Sequence, residues 1–272
     1  MTTVHTLASG SSGNALVLEW EGGRLLADAG VSCRRIAQGL EALGLGLRDL
    51  DAVLITHTHS DHIAGLQTLL KRTDCPVYAS ARAGRDLLRR MTHLEGRLRE
   101  AEGTFSVKDC AVTAFPTSHD APGSLGYRFD TPDGGVGLLT DSGVVTAEAE
   151  AVLPGVALAV LEANHDVETL RSGPYPYYLK ERILGPSGHL RNEDAAAFAA
   201  VLARAGAREI VLAHLSRENN TPAMALRAVE AALRAAGLSP RLSAAPRDRL
   251  SGAYVLEGGA AWSESPCSAS ES

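Results

Sequence analysis

Short apolar runs, separated by glycine, proline and charged residues, recur along the whole chain, and their period alternates between two and nearly four. Leu16 to Glu19 and Arg24 to Ala27 read as the strands of a hairpin turned through Glu21-Gly22-Gly23. Ser32 then caps a helix with Ile36, Leu40 and Leu43 on one face and Gly44 as its stop. Asp51 to Ile55 predicts a strand, and Ile63, Leu66, Leu69 and Leu70 mark a helix. Val77 to Ala79, Val112 to Phe115, Leu125 to Phe129 and Val136 to Leu139 follow as strands, the last two joined through Pro132-Asp133-Gly134-Gly135.

The second half repeats the alternation. Val156 to Leu161 and Arg208 to Ala213 read as strands, and Asn192 to Ala205 as a helix capped by Asn192. Thr221-Pro222 opens a last helix that runs to Gly237. This pattern predicts one layered α/β domain over residues 1–262. The Ser- and Glu-rich stretch 263–272 is expected to be a disordered tail.

Composition narrows the class. With 272 residues, 45% of them hydrophobic, the chain can bury a large core, and Leu, Val and Ala must fill it because aromatics make up only 4%. No run of about eighteen apolar residues predicts a membrane span, and no secretory leader is visible at the N-terminus. Cys33, Cys75, Cys110 and Cys267 lack paired spacing, which reads as reduced cysteines in the cytoplasm. The net charge of −6 does not advertise nucleic acid. Arg82, Arg85, Arg89, Arg90, Arg97 and Arg99 nevertheless crowd one segment, either as a solvated helix face or as a phosphate-tracking patch.

The densest chemistry is Thr56-His57-Thr58-His59-Ser60-Asp61-His62, directly after a buried strand. Imidazole and carboxylate are ligands of zinc, manganese or iron. A structural core has no reason to concentrate such groups, because each buried one needs its own partner. Asp28, His119, Asp141 and His214 each follow a short apolar strand, so several strand ends could converge on one rim. His57 and His59 share parity and can leave an extended loop on one side.

This ordered set resembles the metallo-β-lactamase superfamily, over about Thr3 to Tyr254. The resemblance implies an αβ/βα four-layer sandwich, two mixed sheets flanked by helices, with a metal cleft at the sheet edges. It implies two divalent ions, manganese or zinc with iron also possible. One would be held by His57, His59 and His119, the other by Asp61, His62 and His214, with Asp141 bridging. Asp28 would orient a ligand histidine. A redox branch of the superfamily has glutamate where this chain has His59, so hydrolysis is the reaction implied, with a metal-bridging hydroxide as nucleophile.

Leu7-Ala8-Ser9-Gly10-Ser11-Ser12-Gly13-Asn14, Glu162-Ala163-Asn164-His165-Asp166, Gly173-Pro174-Tyr175-Pro176, Gly188-His189-Leu190-Arg191-Asn192 and Ala213-His214-Leu215-Ser216 look like the YycJ/WalJ subgroup. That resemblance implies a DNA exonuclease working 5′ to 3′, with a role in DNA repair, and DNA rather than RNA as partner. Ser11, Ser12 and Asn14 are candidates to touch a phosphate as an anion nest, or simply form a tight turn. His189 is a candidate for substrate contact or proton transfer, and Asp61 and His165 for catalysis. Glu162 is placed to orient a histidine. The interval from Asp141 to His189 is too short for the cap domain of larger nucleases, so an open cleft is expected. RNA processing, cyclic-phosphodiester, thioester or lactone hydrolysis, and a non-catalytic binding module are the competing readings. His5 and His93 have no motif around them.

Overall fold

Leu25 and Leu26 point to opposite sides of one strand, yet both are fully buried. A strand buried on both faces needs apolar layers above and below it. The computed structural model, which describes residues 1–256, supplies them. Leu25 faces a core between two sheets, together with Leu18, Leu54, Phe129 and Val160. Leu26 faces a second core under helices, with Ile36, Leu40, Leu66 and Leu87. A third core, including Leu161, Phe198, Leu212 and Val229, lies outside the other sheet. The layers therefore run helix, sheet, sheet, helix. The domain end expected at 262 and the tail 263–272 lie outside the described residues.

The first half runs β1 (Thr2–Ala8), β2 (Ala15–Trp20), β3 (Gly23–Ala27), α1 (Cys33–Ala42), β4 (Ala52–Leu54), α2 (Ser60–Ile63), α3 (Leu66–Leu69), β5 (Val77–Ala79), α4 (Ala81–Arg90) and β6 (Leu98–Glu100). The second runs β7 (Thr104–Val107), β8 (Cys110–Pro116), β9 (Leu125–Thr131), β10 (Gly134–Leu139), α5 (Ala147–Val152), β11 (Leu158–Glu162), α6 (Val167–Ser172), α7 (Tyr177–Leu184), α8 (Asn192–Arg204), β12 (Glu209–Ala213), α9 (Pro222–Ala235), β13 (Arg241–Ala244) and β14 (Tyr254–Leu256). One sheet has the order β14-β1-β2-β3-β4-β5-β6, the other β13-β12-β11-β10-β9-β8-β7. In each, an antiparallel hairpin, β2-β3 or β9-β10, passes into parallel strands joined through helices. No helix among the described residues is long and apolar enough to cross a membrane.

Two details depart from expectation. The helix expected from Ile63 to Leu70 is split at Gly65, whose N–H donates to Ala29 O (2.8 Å). A Cβ there would lie 2.0 Å from Val31 O, so only glycine lets the backbones meet. Asn192 is not the cap of α8 but its first residue, and Arg191 takes the cap position. The Asn192 amide is committed to Asn220, with bonds of 3.1 and 2.8 Å.

The sheets are also tied at the centre. The Tyr127 hydroxyl, fully buried, donates to Ile55 O (2.8 Å) just before the histidine-rich loop. Tyr127→Phe leaves that carbonyl unsatisfied and should cost about 1–3 kcal/mol in urea unfolding. Unchanged stability would contradict the contact's role.

Candidate metal centre

Asp28, Asp141 and His214 follow strands β3, β10 and β12 and share an uncommon backbone, with φ of 60°, 57° and 53°. Non-glycine residues pay about 1–3 kcal/mol for this left-handed region. Here it turns Asp141 and His214 off their strand ends into one cleft and sets Asp28 behind the His62 ring. Gly30 lets the neighbouring loop close on the site, since a Cβ there would lie 1.6 Å from Asp61 O.

The cleft gathers donor atoms in overlapping groups, each within 4.8 Å: His57, His59 and His119; Asp61, His62 and His214; His57, His62 and Asp141; and Asp141, Glu162, His189 and His214. His119 Nε2 faces His59 Nδ1 at 3.2 Å. Asp141 Oδ1 lies 3.7 Å from His119 Nε2 and 3.6 Å from His214 Nε2, between the first two groups. Its Oδ2 is 3.3 Å from His62 Nε2, and Asp61 Oδ2 is 3.6 Å from His214 Nε2.

The opposite ring nitrogens are held from behind. His62 Nδ1 pairs with Asp28 Oδ2 (2.7 Å), His119 Nδ1 with Gly188 O (3.0 Å) and His214 Nδ1 with Glu162 Oε1 (2.9 Å). Thr56 Oγ1 donates to Asp28 Oδ2 (2.9 Å) and so can accept from His57 Nδ1 (3.1 Å). A proton on each Nδ1 leaves the Nε2 lone pair aimed into the cleft. His57 Nε2, His214 Nε2 and Asp141 Oδ2 are buried there without a hydrogen-bond partner. Orphaned buried atoms are rare, and imidazole with carboxylate is the donor set of a divalent transition ion. The residues present therefore fit metal ions.

Proton affinities are pulled apart. Burial, reinforced by neighbouring His62, lowers His57 to about 2. Burial also acts against a charged His62, but the carboxylates of Asp141 and Asp28 outweigh it and hold that imidazole well above its ordinary value. His214 is buried too, yet Asp141, Asp61 and Glu162 raise it to about 10. For Glu162 burial pushes upward, and the imidazoles of His189 and His214 bring it down to about 2. A cation held by these nitrogens would displace the protons that the carboxylates favour on His62 and His214.

The remaining candidates divide clearly. Glu162 Oε1 also accepts from His189 Nδ1 (2.8 Å), while Oε2 accepts from Ser142 N (3.0 Å). His59, Asp61 and His189 keep side-chain exposures of 35%, 21% and 20%, and so form the open side of the cleft. His165 is 1% exposed, both ring nitrogens lack partners, and burial drops it to about 4. That is not the setting of an acid that hands over a proton at neutral pH. Asn14 spends its amide inside the protein, accepting from Gly10 N (2.8 Å) and standing 3.0 Å from His62 Nε2. It braces the loop against the site and has little left for a substrate. Ser11 and Ser12 are exposed, with Ser12 Oγ 3.5 Å from the Asp248 carboxylate. Arg82, Arg85, Arg89 and Arg90 are exposed on α4. Arg97 instead donates to Leu70 O and Cys75 O, a structural role.

Sequence reasoning passed over Asp120. Its Oδ1 lies 3.5 Å from His59 Nε2 and 3.6 Å from His119 Nε2, and its other oxygen pairs with Arg182 of α7. Its place directly after the ligand candidate His119 was the available signal.

A family model described as a beta-lactamase superfamily domain matches residues 23–215. Exodeoxyribonuclease YycJ of Bacillus anthracis is 38% identical over 238 residues, 85% of this chain and 89% of that protein. Exodeoxyribonuclease WalJ of Streptococcus pneumoniae is 40% identical over 226 residues, 80% of this chain and 83% of its own length. Among solved structures, the metallo-beta-lactamase fold protein YhfI from Bacillus subtilis aligns with TM-score 0.68 at 15% identity, covering 93% of this chain and all (100%) of that one. The short form of human tRNase Z aligns with TM-score 0.64 at 20% identity over 93% of this chain and 100% of its own. The family match, the two relatives and the overall fold agree: this chain belongs to the metallo-β-lactamase superfamily.

Proposed function

We propose that this chain is a metal-dependent exodeoxyribonuclease that removes nucleotides from the 5′ end of DNA. The observation that carries the reading is a complete donor set at the strand ends of a chain similar to two exodeoxyribonucleases over most of its length. His57, His59 and His119 would hold one divalent ion, and Asp61, His62 and His214 a second, with Asp141 between them. Manganese and zinc suit these donors, and iron is compatible. Such ions supply water of lowered pKa and neutralise charge on a phosphate oxygen.

The chain's own residues do the rest. Asp28 and Glu162 fix the ring orientation of His62 and His214. Glu162 also anchors His189 through Nδ1, which leaves Nε2 for a substrate phosphate or the departing oxygen. His189, rather than the enclosed His165, is thus the candidate for proton transfer. The exposed side at His59 and Asp61 would admit a polymer end. Free, buried Cys33, Cys75 and Cys110 suit a reducing, cytoplasmic setting.

Three tests follow. With end-labelled DNA, metal-loaded protein should release nucleotides from the 5′ end, and Asp61→Ala should abolish release while its circular dichroism matches wild type. Comparable cleavage of RNA, or full activity in the variant, would overturn the assignment. Glu162→Gln should lower activity about 10- to 100-fold, as loss of a ligand-orienting carboxylate does elsewhere; an unchanged rate would refute its positioning role. Stripping the ions should lower the melting temperature. Reloading at about 1,000 times the dissociation constant should restore about 4 kcal/mol, and melting indifferent to metal would tell against the site.

A further inference from the structure

Aromatic side chains make up only 4% of the chain, yet two of them stand in the solvent side by side. Tyr177 and Tyr178, on the first turn of α7, are 76% and 73% exposed, the most exposed large apolar side chains among the described residues. The helix buries none of its residues, so packing does not explain them. Its C-terminal end, in contrast, is stitched to the candidate metal centre. His189 N donates to Ile183 O (3.2 Å), Ser118 Oγ donates to Pro186 O (2.8 Å), and His119 Nδ1 bonds Gly188 O (3.0 Å).

Arg182 of the same helix pairs with Asp120, which lies 3.5 Å from His59 Nε2. Tyr178 precedes Arg182 by four residues, and residues so spaced share a helix face about one turn, roughly 5.4 Å, apart. Tyr178 therefore shares the α7 face of Arg182, whose partner Asp120 borders His59 on the open side of the cleft. A phenol ring on an exposed face, with a guanidinium one turn away, is a stacking platform beside a cation. That pairing matches the alternating base and phosphate of a nucleic-acid strand.

We infer that Tyr178 stacks on a nucleobase of the DNA strand, within two nucleotides of the phosphate held at the metal centre, and so positions the strand for cleavage. The inference rests on the nuclease reading above. Protein partners also use exposed tyrosines, but the tie of α7 to His119, His189 and Asp120 favours the substrate of this site.

The test compares wild type, Tyr178→Ala and Tyr178→Phe, all metal-loaded, on single oligonucleotides with natural or abasic residues at the first two positions beside the cleaved bond. Because Tyr178 is exposed, the Ala variant should melt with wild type. On natural DNA, KM for Tyr178→Ala should rise roughly 5- to 150-fold, the span that loss of one stacked base corresponds to. Tyr178→Phe should stay near wild type. On abasic DNA, wild type should fall to the level of Tyr178→Ala, with no further loss in the variant. Equal impairment of Tyr178→Ala on both substrates, or none on either, would overturn the stacking role while leaving the nuclease reading in place. Wild type that releases nothing from natural DNA would bring down both.

Discussion

Side chains from several strands that all need a partner must end within a few ångströms of one another, and the rest of the fold serves that constraint. Asp141 is 1% exposed, His57 and His62 are fully buried, and several of their polar atoms face only each other. Groups of like kind cannot all satisfy one another. Each imidazole that gains a proton repels its neighbours, and each carboxylate left bare does the same. A shared cation would resolve the conflict, and the supports behind the rings suit one. Asp28, Glu162, Thr56 and the Gly188 carbonyl each hold an Nδ1 side so that an Nε2 faces inward.

The two sheets meet this constraint by the same device used twice. In each, a hairpin hands over to parallel strands, and the residue just beyond the hairpin turns toward the centre through a left-handed backbone. Asp28 occupies that place after β3, and Asp141 stands close to it after β10. The first supports His62 from behind while the second faces it from the front, at 2.7 and 3.3 Å. Two architecturally similar halves thus contribute unlike groups to one centre. The strain of three left-handed residues is carried by sheets buried on both faces.

Much of this was legible in the chain. Strands such as β3, β10 and β12 declare themselves because their apolar residues lie between clear turns, and Asp28, Asp141 and His214 stand where those runs stop. The duplicated architecture showed as alternation without any residue-level repeat. What stayed hidden has physical reasons. β1 carries Thr2, His5 and Thr6, polar residues that are nevertheless buried, so its pattern does not read as a strand. Edge strands β6, β7 and β13 are short and partly exposed. The split of the expected Ile63–Leu70 helix depends on Gly65 meeting Ala29, a long-range contact that no local period records. Asn14 looked like a phosphate contact because its loop is rich in glycine and serine. Only the fold reveals that its amide is consumed by Gly10 and the His62 loop.

The most direct measurement of the central claim is metal content per chain, by elemental analysis of the purified protein after reloading and desalting. Wild type, His119→Ala and His214→Ala would be measured side by side, with folding verified by melting. The account predicts two ions in wild type and a loss confined largely to one of them in each variant, since the two histidines belong to different donor groups around Asp141. Wild type that retains no stoichiometric metal, or variants that retain the full complement, would contradict it.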